Sequence, residues 1–497
     1  MRQAISLGDL GLTARGGREA AISGLSVDSR EVRAGHLFAA LPGVHMHGAQ
    51  FIETALAAGA GAILTDAAGA RIAADALAVS SAALVVVEDP RQALACASAL
   101  WFGQQPGCMV AVTGTNGKTS VASFARQIWQ EMGKAAVNLG TTGVEGAFEA
   151  ALAHTTPEPI TLHRVLRDCA QAGITHAAME ASSHGLAQRR LDGVNLCAAA
   201  FSNFTQDHLD YHASFEEYFK AKAGLFTRVL PQDGVAVVNT DDPRGDEMAE
   251  VAGMRARSVI RVGRSAEADL RITGQRFDVT GQDLRIEWAG RASQVRLPLI
   301  GGFQAENAVL AAGLVIACGG EPERVIETLP HLRTVRGRMQ LAATRANGAA
   351  VFVDYAHTPD AVATALQALR PHVMGRLFVI VGAGGDRDTT KRPLMGQAAA
   401  QHADAVIVTD DNPRSEAPEA IRAAVLKGAR GTGAHAQEIA DRAEAILRGV
   451  DMLGPGDALL IAGKGHETGQ VIGDTVFPFD DVEQASLAVS VLDGGVA

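Results

Sequence analysis

The 497-residue sequence lacks the features that would tie it to a membrane or to an oxidising compartment. No apolar run approaches the roughly 20 residues needed to span a bilayer, and the first residues lack the apolar stretch and cleavage site of a signal peptide. The five cysteines are scattered and form no Cys-x-x-Cys pair, which predicts reduced thiols and neither a disulfide framework nor a zinc site. We therefore expect a cytoplasmic protein without membrane insertion.

Positive charge is also scarce, because the formal net charge is -11 and no dense Lys/Arg block occurs. Nucleic acid is thus not an expected partner, since binding of a phosphate backbone needs a basic face. A small anionic nucleotide remains compatible with this balance if its site is locally positive. Aromatic residues make up only 4%, but 47% hydrophobic and 20% charged residues are typical of a folded globular chain.

The length predicts about three domains, since domains usually run about 100–200 residues. Composition and pattern place the boundaries at 1–105, 106–333 and 334–497. In the second and third segments, short apolar runs alternate with helical patterns, which predicts α/β domains with parallel sheets. The predicted strands are Cys108–Thr113, 174–179, Ala198–Phe201, Val235–Asn239, 350–353, Leu377–Val381, Ala405–Val408 and 458–461.

A phosphate-binding loop is indicated directly after the first of these runs. Glycines let backbone N–H groups face an anion, a helix N-terminus adds positive charge, the lysine reaches the outer phosphates and the next threonine can ligate Mg²⁺. Val112 stands where the strict spacing has glycine, so the loop is a variant. Its residues are Gly114, Thr115, Asn116, Gly117, Lys118, Thr119 and Ser120.

This loop resembles that of the Mur ligases and of the related folylpolyglutamate synthetases. Later motifs follow the Mur-ligase order over nearly the whole chain. The resemblance implies three α/β domains: an N-terminal UDP-binding domain, a central P-loop ATPase-like domain with a parallel sheet, and a C-terminal Rossmann-like domain.

The central segment also carries candidate metal ligands. Glu180 follows a predicted strand, where a carboxylate can hold Mg²⁺ near phosphates. The resemblance implies that Thr119 and Glu180 hold one Mg²⁺ and that His208 and a carbamylated Lys222 hold a second. A carbamate turns this lysine into an oxygen ligand, which suits a hard ion. Lys118, Glu180, His208 and Lys222 are thus the expected catalytic residues.

Further nucleotide contacts are implied by the resemblance at Asn307, Arg338, Asp354 and His357. Asp354 is suited to ribose hydroxyls and Arg338 to phosphate. Gln304 stands where the family usually has asparagine.

Three polar loops follow apolar runs of the last segment and supply guanidinium, carboxylate and amide groups. Such a set suits diaminopimelate, which carries two amino and two carboxylate groups. The Asp-Asn-Pro-Arg string at 411–414 resembles the mark of diaminopimelate-using Mur ligases. The expected pocket residues are Arg387, Asp411, Asn412, Arg414, Gly463 and Glu467.

The N-terminal segment resembles the part of these enzymes that holds UDP, with Ser29 as the implied contact. Residues expected to hold the muramoyl dipeptide, again by resemblance, are Thr155, Thr156, Ser182, Gln188 and Arg190.

The resemblance implies a monomeric, ATP- and Mg²⁺-dependent ligase of peptidoglycan precursor synthesis. It would join meso-diaminopimelate to the D-glutamyl γ-carboxylate of UDP-N-acetylmuramoyl-L-alanyl-D-glutamate through an acyl phosphate. Three alternatives stay open: a lysine-adding Mur ligase, a folylpolyglutamate synthetase, and a catalytically inactive nucleotide-binding or scaffold protein.

Overall fold

The computed structural model describes residues 4–43, 46–205, 211–431 and 435–494. The chain forms two compact units, one of Met1–Leu270 with Leu310–Val325 and one of Arg271–Val309 with Ile326–Ala497. The three predicted segment boundaries remain predictions. Within the described residues, no helix is both long and apolar enough to cross a membrane.

The first unit begins with a small α/β layer. A parallel sheet in the order β3-β4-β5-β6 lies beside the antiparallel pair β1-β2. The strands are β1 (Ile5–Ser6), β2 (Ala21–Ile22), β3 (Gly24–Ser26), β4 (His36–Ala39), β5 (Ala62–Thr65) and β6 (Ala83–Val86). The helices are α1 (Ile52–Ala57), α2 (Ala67–Ile72), α3 (Ala74–Ala78) and α4 (Pro90–Phe102).

A larger sheet follows in the same unit, in the order β13-β12-β11-β7-β10-β8-β9. Its pairs are parallel except for β9, which runs antiparallel to β8. The strands are β7 (Cys108–Thr113), β8 (Ala136–Gly140), β9 (Gly143–Gly146), β10 (His176–Glu180), β11 (Ala198–Phe201), β12 (Val235–Asn239) and β13 (Ser258–Gly263). The helices are α5 (Lys118–Glu131), α6 (Pro159–Gln171), α7 (Ser183–Ala187), α8 (Phe215–Gly224) and α9 (Gly245–Gly253).

Strand β7 lies between β10 and β11, so the segments that follow these three strands emerge at one edge of the sheet. The predicted bounds of β7, β11 and β12 are confirmed. Strand β10 begins two residues later than predicted and includes Glu180 as its last residue.

Three long strands, β14 (Leu270–Asp278), β15 (Gly281–Trp288) and β16 (Arg291–Leu297), come next in the chain. Strands β15 and β16 pair antiparallel, from Gln282 opposite Leu297 to Trp288 opposite Arg291. The sequence prediction missed these strands because it relied on continuous apolar runs. Here buried Leu284 and Ile286 alternate with more exposed polar residues. Helices α10 (Gly302–Ala317) and α11 (Pro322–Thr328) follow.

The second unit contains a six-stranded sheet in the order β17-β18-β22-β19-β20-β21. All pairs are parallel except the edge strand β17, which is antiparallel to β18. The strands are β17 (Gln340–Thr344), β18 (Ala350–Asp354), β19 (Leu377–Val381), β20 (Ala405–Val408), β21 (His435–Glu438) and β22 (Ala458–Ala462), with a hairpin of β23 (Gly469–Ile472) and β24 (Thr475–Pro478). The helices are α12 (Pro359–Leu369), α13 (Lys391–His402), α14 (Pro418–Ala429), α15 (Arg442–Asp451) and α16 (Asp481–Leu492).

Both faces of this sheet are buried. Leu377, Val379 and Val381 pack into one apolar core, whereas Phe378 and Ile380 pack into another on the opposite face. This double burial explains why the four central strands are visible in the sequence as continuous apolar runs.

Candidate active site

The predicted phosphate-binding loop lies in the first unit, where it joins β7 to α5. Gly117 precedes the helix in a left-handed conformation, with φ of 84°. At Gly114 a Cβ atom would lie 1.9 Å from Ser202 Oγ, so only glycine allows this close approach. The segment after β11 fixes the loop, because Asn203 accepts hydrogen bonds from the backbone N–H groups of Thr115 and Asn116 at 2.8 Å each.

Two lysine ammonium groups meet at this loop. Lys118 Nζ donates to the carbonyl oxygens of Gly114 and Thr115 at 3.0 and 2.8 Å. Lys222 Nζ, on α8, donates to the same Gly114 oxygen at 2.6 Å and lies 4.3 Å from the centre of the Tyr218 ring. Lys222 is only 1% exposed. The structure thus places two lysine side chains at a glycine-rich loop, where the Lys118 ammonium group suits a phosphate group.

Glu180 ends β10 beside the loop and is 2% exposed. Its Oε2 atom accepts a hydrogen bond from Thr119 Oγ1 at 3.1 Å, and its Oε1 atom accepts from the backbone N–H of Thr141 at 2.8 Å. A Cβ at Gly140 would lie 1.9 Å from Glu180 Oε1, so a larger residue there would displace this carboxylate.

These oxygen atoms fit a magnesium ion. Over the described parts of the chain, no group of three His, Cys, Asp or Glu residues is arranged to hold a metal. Mg²⁺ commonly binds through one or two carboxylates together with substrate phosphates and water. The Thr119 hydroxyl and the Glu180 carboxylate, side by side at a phosphate loop, are such a donor set.

The residues expected to bind the muramoyl dipeptide lie against Glu180. Thr156 Oγ1 donates to the Glu180 carbonyl oxygen at 2.9 Å and accepts from Ser182 N at 3.1 Å. Arg190 donates to the Thr156 carbonyl oxygen and, through its Nη2, to Gln188 Oε1 at 2.8 Å. The hydroxyl of Thr155 lies 3.0 Å from that of Thr141, whose backbone N–H binds Glu180. Five predicted residues therefore converge beside the predicted metal ligand.

Two other predicted residues belong to different parts of the chain. Ser29 begins a short 3-10 helix, Ser29–Glu31, shortly after β3 in the N-terminal layer. His208 lies outside the described residues, so its predicted part in metal binding stays a prediction.

In the second unit, the predicted nucleotide residues Arg338, Asp354 and His357 surround Tyr355. The Arg338 guanidinium lies 4.7 Å from the Tyr355 ring centre, and the ring of His357 lies 4.5 Å from it. The Asp354 carboxylate accepts from the backbone N–H groups of Met339 and Ala356. Burial raises the pKa of Asp354, and the nearby Arg338 opposes that shift.

Asn307 lies on α10, where its Nδ2 donates to Gln304 Oε1 at 3.3 Å. Gln304 is 1% exposed, and its Nε2 has no hydrogen-bond partner in the part of the chain that the structure describes. A buried amide that lacks a partner is unfavourable, which makes a ligand atom a suitable acceptor here.

The residues predicted to bind diaminopimelate come from loops after β19, β20 and β22. Asn412 Nδ2 donates to Glu467 Oε2 at 2.9 Å, and Arg414 Nη1 donates to the Gly385 carbonyl oxygen at 2.7 Å. At Gly463, a Cβ would lie 2.5 Å from Asp411 Oδ2. Arg387 is exposed in the first of these loops, close to Gly384. Acidic, amide and guanidinium groups are thus assembled at the carboxyl edge of the sheet.

The sequence prediction missed three residues of these sites: Thr141, Tyr355 and Lys464. Each lies within or next to a motif, but what marks it is a contact with a residue distant in the chain. Tyr355, for example, also lies 5.0 Å from His466, ring centre to ring centre. Burial lowers the pKa of His466 to about 4, so that ring is neutral at pH 7.

Backbone strain marks the same places. Among the described residues, five that are not glycine have positive φ: Arg189, Ala289, Met339, Asp386 and Arg414. All but Ala289 are predicted site residues or direct neighbours of one. Strain of this kind costs about 1–3 kcal/mol per residue and is concentrated at functional sites.

Sequence models of three Mur-ligase regions match consecutive stretches of the chain. The model of the Mur ligase family catalytic domain matches residues 21–101, that of the Mur ligase middle domain matches 112–315, and that of the glutamate ligase domain matches 337–465.

Curated relatives match over nearly the full length. A UDP-N-acetylmuramoyl-L-alanyl-D-glutamate–2,6-diaminopimelate ligase of Bradyrhizobium diazoefficiens is 48% identical over 94% of this chain and 95% of the relative. A Caulobacter vibrioides protein of the same name is 46% identical over 95% and 96%.

Comparison with solved structures gives the same result as comparison with the curated relatives. A UDP-N-acetylmuramoyl-L-alanyl-D-glutamate–2,6-diaminopimelate ligase aligns with a TM-score of 0.72 and 34% identity over 98% of this chain and 99% of the other. A folylpolyglutamate synthase of Mycobacterium tuberculosis, at 20% identity and a TM-score of 0.62 over 82% of this chain and 96% of the other, shares the fold. Since the family regions cover most of the sequence and the relatives match it end to end, the chain belongs to the Mur ligase family.

Proposed function

We propose that this protein is the ATP-dependent ligase that adds meso-diaminopimelate to the D-glutamyl γ-carboxylate of UDP-N-acetylmuramoyl-L-alanyl-D-glutamate. The observation that carries the proposal is the end-to-end match to curated relatives of that name, at 48% and 46% identity. The loop residues Asp411, Asn412 and Arg414 support it, since they offer the carboxylate, amide and guanidinium groups that suit the added amino acid.

ATP would bind with its phosphates in the loop from Gly114 to Ser120. Backbone N–H groups and the N-terminus of α5 face the phosphates, and Lys118 exchanges its two carbonyl contacts for phosphate oxygens. By family resemblance, Asn307, Arg338, Asp354 and His357 complete the nucleotide contacts.

Mg²⁺, held by Thr119 and Glu180, would neutralise charge on the transferring phosphoryl group. We assign Lys222 as a carbamylated lysine that serves with His208 at a second ion. The support is its position, since its Nζ reaches the Gly114 carbonyl from a site that is 1% exposed. A carbamate there would place oxygen atoms against the phosphate loop.

The muramoyl dipeptide would lie along Thr155, Thr156, Ser182, Gln188 and Arg190, with Ser29 at the UDP end. Because Thr156 and Arg190 are tied to the segment that carries Glu180, a carboxylate bound there lies beside the phosphate loop. Such proximity allows transfer of the γ-phosphoryl group of ATP to the D-glutamyl γ-carboxylate.

An amine of diaminopimelate then attacks the acyl phosphate, and the tetrahedral intermediate expels inorganic phosphate. Arg387, Arg414 and Asn412 would bind carboxylate oxygen atoms, and Asp411 and Glu467 would bind the distal ammonium, with Gly463 allowing close approach. We assign the binding of UDP, ATP and amino acid to residues 1–105, 106–333 and 334–497, in a monomer located in the cytoplasm.

The test is phosphate release from ATP and Mg²⁺ with the UDP-muramoyl dipeptide, with meso-diaminopimelate or L-lysine added in parallel. We expect turnover with diaminopimelate alone. Turnover with lysine alone would overturn the assignment of the 411–414 loop while keeping the reaction type. If neither amino acid is used, folate substrates are tested next, and inactivity with those as well would mean that the protein is not a ligase.

A further inference from the structure

Lys464 is fully buried at the carboxyl end of β22, with its side chain 0% exposed. It lies between Gly463 and Gly465, whose φ angles of 117° and 55° turn the chain sharply around it. Burial of an ammonium group costs several kcal/mol unless partners compensate for it. The partners of this lysine are therefore informative.

Three of the groups around the Lys464 ammonium belong to the proposed amino-acid pocket. Its Nζ donates to Asn412 Oδ1 at 2.8 Å and to the Gly469 carbonyl oxygen at 2.7 Å. The carboxylates of Asp411 and Glu467 lie 3.6 and 3.7 Å away. One cation thus faces two carboxylates and one amide that come from two different loops.

These contacts fix the orientation of Asn412. Its Oδ1 accepts from Lys464 and from the backbone N–H of Val471 at 2.9 Å, so its Nδ2 must point the other way. That Nδ2 donates to Glu467 Oε2 at 2.9 Å. Lys464 therefore positions the Glu467 carboxylate through Asn412, although it has no exposed surface with which to bind a ligand.

We propose that Lys464 is a positioning residue that contributes to amino-acid preference, by orienting Asn412 and by balancing the charges of Asp411 and Glu467. The proposal rests on the function proposed above. The far end of diaminopimelate is a zwitterion, whereas that of lysine is a lone ammonium. Two carboxylates without a nearby cation would favour the lone ammonium, and the Lys464 charge removes that advantage.

The test compares wild type with Lys464→Met and Lys464→Gln. The preference is measured as the inhibition constant of L-lysine divided by the KM of meso-diaminopimelate. In Lys464→Met we expect this ratio to fall at least about tenfold, while the KM values of ATP and of the UDP-muramoyl dipeptide stay within about twofold. Lys464→Gln keeps a hydrogen-bond donor without charge. Its kcat should therefore exceed that of Lys464→Met, whereas its ratio should be as low.

Lys427→Met removes an exposed lysine of α14 and serves as the matched control, with an unchanged ratio. If Lys464→Met does not fold, Lys464→Gln carries the test. An unchanged ratio in the folded variants, or an equal rise of all three KM values, overturns the inference. Absence of diaminopimelate turnover in wild type would instead refute the proposed function, so the two failures are distinguishable.

Discussion

The candidate phosphate loop and the proposed diaminopimelate pocket are built in different ways. The loop uses seven consecutive residues, and most of the atoms that would bind an anion belong to the backbone of residues 114–120. The pocket uses side chains from loops that are about 25 to 50 residues apart in sequence, held by buried charges such as Lys464. A backbone site depends mainly on local conformation, whereas a side-chain site depends on the folding of distant segments.

Lys118→Ala tests the first half of this comparison and should have the largest effect. Loss of the ammonium from the loop should lower turnover at least about 10³-fold, because charge on the transferring phosphoryl group is no longer neutralised. The thermal unfolding curve should stay unchanged, since the backbone forms the loop. Lys134→Ala, an exposed lysine just after α5, is the control. Near-normal phosphate release from Lys118→Ala would refute the loop's proposed role.

Asp481→Leu tests the second half of the comparison, the dependence of the proposed pocket on buried charges. Arg442 and Asp481 form an ion pair in which both side chains are 0% exposed. Arg442 also donates to the carbonyl oxygens of Asp410 and Ala462, the residues that precede Asp411 and Gly463. Removal of the carboxylate leaves a buried guanidinium, so we expect the free energy of unfolding to fall by about 3 kcal/mol in urea titrations.

The double variant Arg442→Met with Asp481→Leu should recover most of this loss, because it leaves no uncompensated charge. A double variant no more stable than the single one would show that the pair's packing, not its charge, stabilises the fold. Arg448→Ala, in which a 62% exposed side chain is removed from the same helix, should change stability by less than about 0.5 kcal/mol.

The same contrast explains what the sequence could predict. Strands β18, β19, β20 and β22 are buried on both faces, so apolar runs located them, and Gly-Lys-Thr after a strand located the loop. The strands β15 and β16, with one buried face, escaped a search for continuous runs. Lys464 and Arg442 could not be recognised, because a lysine or arginine is ordinarily exposed and only the folded chain brings carboxylates to it.

Lys222 fits neither the backbone site nor the side-chain site, since it is a buried side chain that contacts the backbone of the loop. Lys222→Ala should lower turnover about 10²-fold, and small carboxylates should restore part of it if the lysine is carbamylated. Lys220→Ala, two residues earlier on the exposed face of α8, should leave turnover unchanged. Native mass spectrometry without a carbamate, combined with an active Lys222→Ala variant, would remove the modification from the proposal.

Arg414→Ala should weaken the binding of diaminopimelate alone. Its guanidinium donates to Gly385, and its backbone N–H donates to Val471, which fixes the side chain within the pocket loops. We expect the KM of diaminopimelate to rise about 30-fold, consistent with loss of a charge-assisted hydrogen bond. The KM of the UDP-muramoyl dipeptide should not change, and neither KM should change in Arg430→Ala, an exposed control after α14. Equal increases for both substrates would place Arg414 outside the pocket.

The smallest expected effect is on the pH dependence of stability, and it comes from His163, a buried group without a charged partner. His163 on α6 is 1% exposed, and its Nε2 has no hydrogen-bond partner among the residues that the structure describes. Burial lowers its pKa from 6.5 to about 4. The unfolded chain therefore binds a proton between these values that the folded chain does not, and the stability from the neutral ring is lost as the pH falls below 6.5.

Between pH 7.0 and 5.5 this loss amounts to about 1 kcal/mol, since each pH unit below 6.5 is worth at most about 1.4 kcal/mol. Urea titrations of wild type and His163→Leu at both pH values isolate the contribution, because the other histidines titrate alike in the two proteins. The variant should lose about 1 kcal/mol less than wild type over this range. Equal losses would mean that the His163 ring finds a partner for its proton in the folded state, as Lys464 and Arg442 find theirs. Burial of a titratable group would then be tolerated in both units in the same way, through pairing.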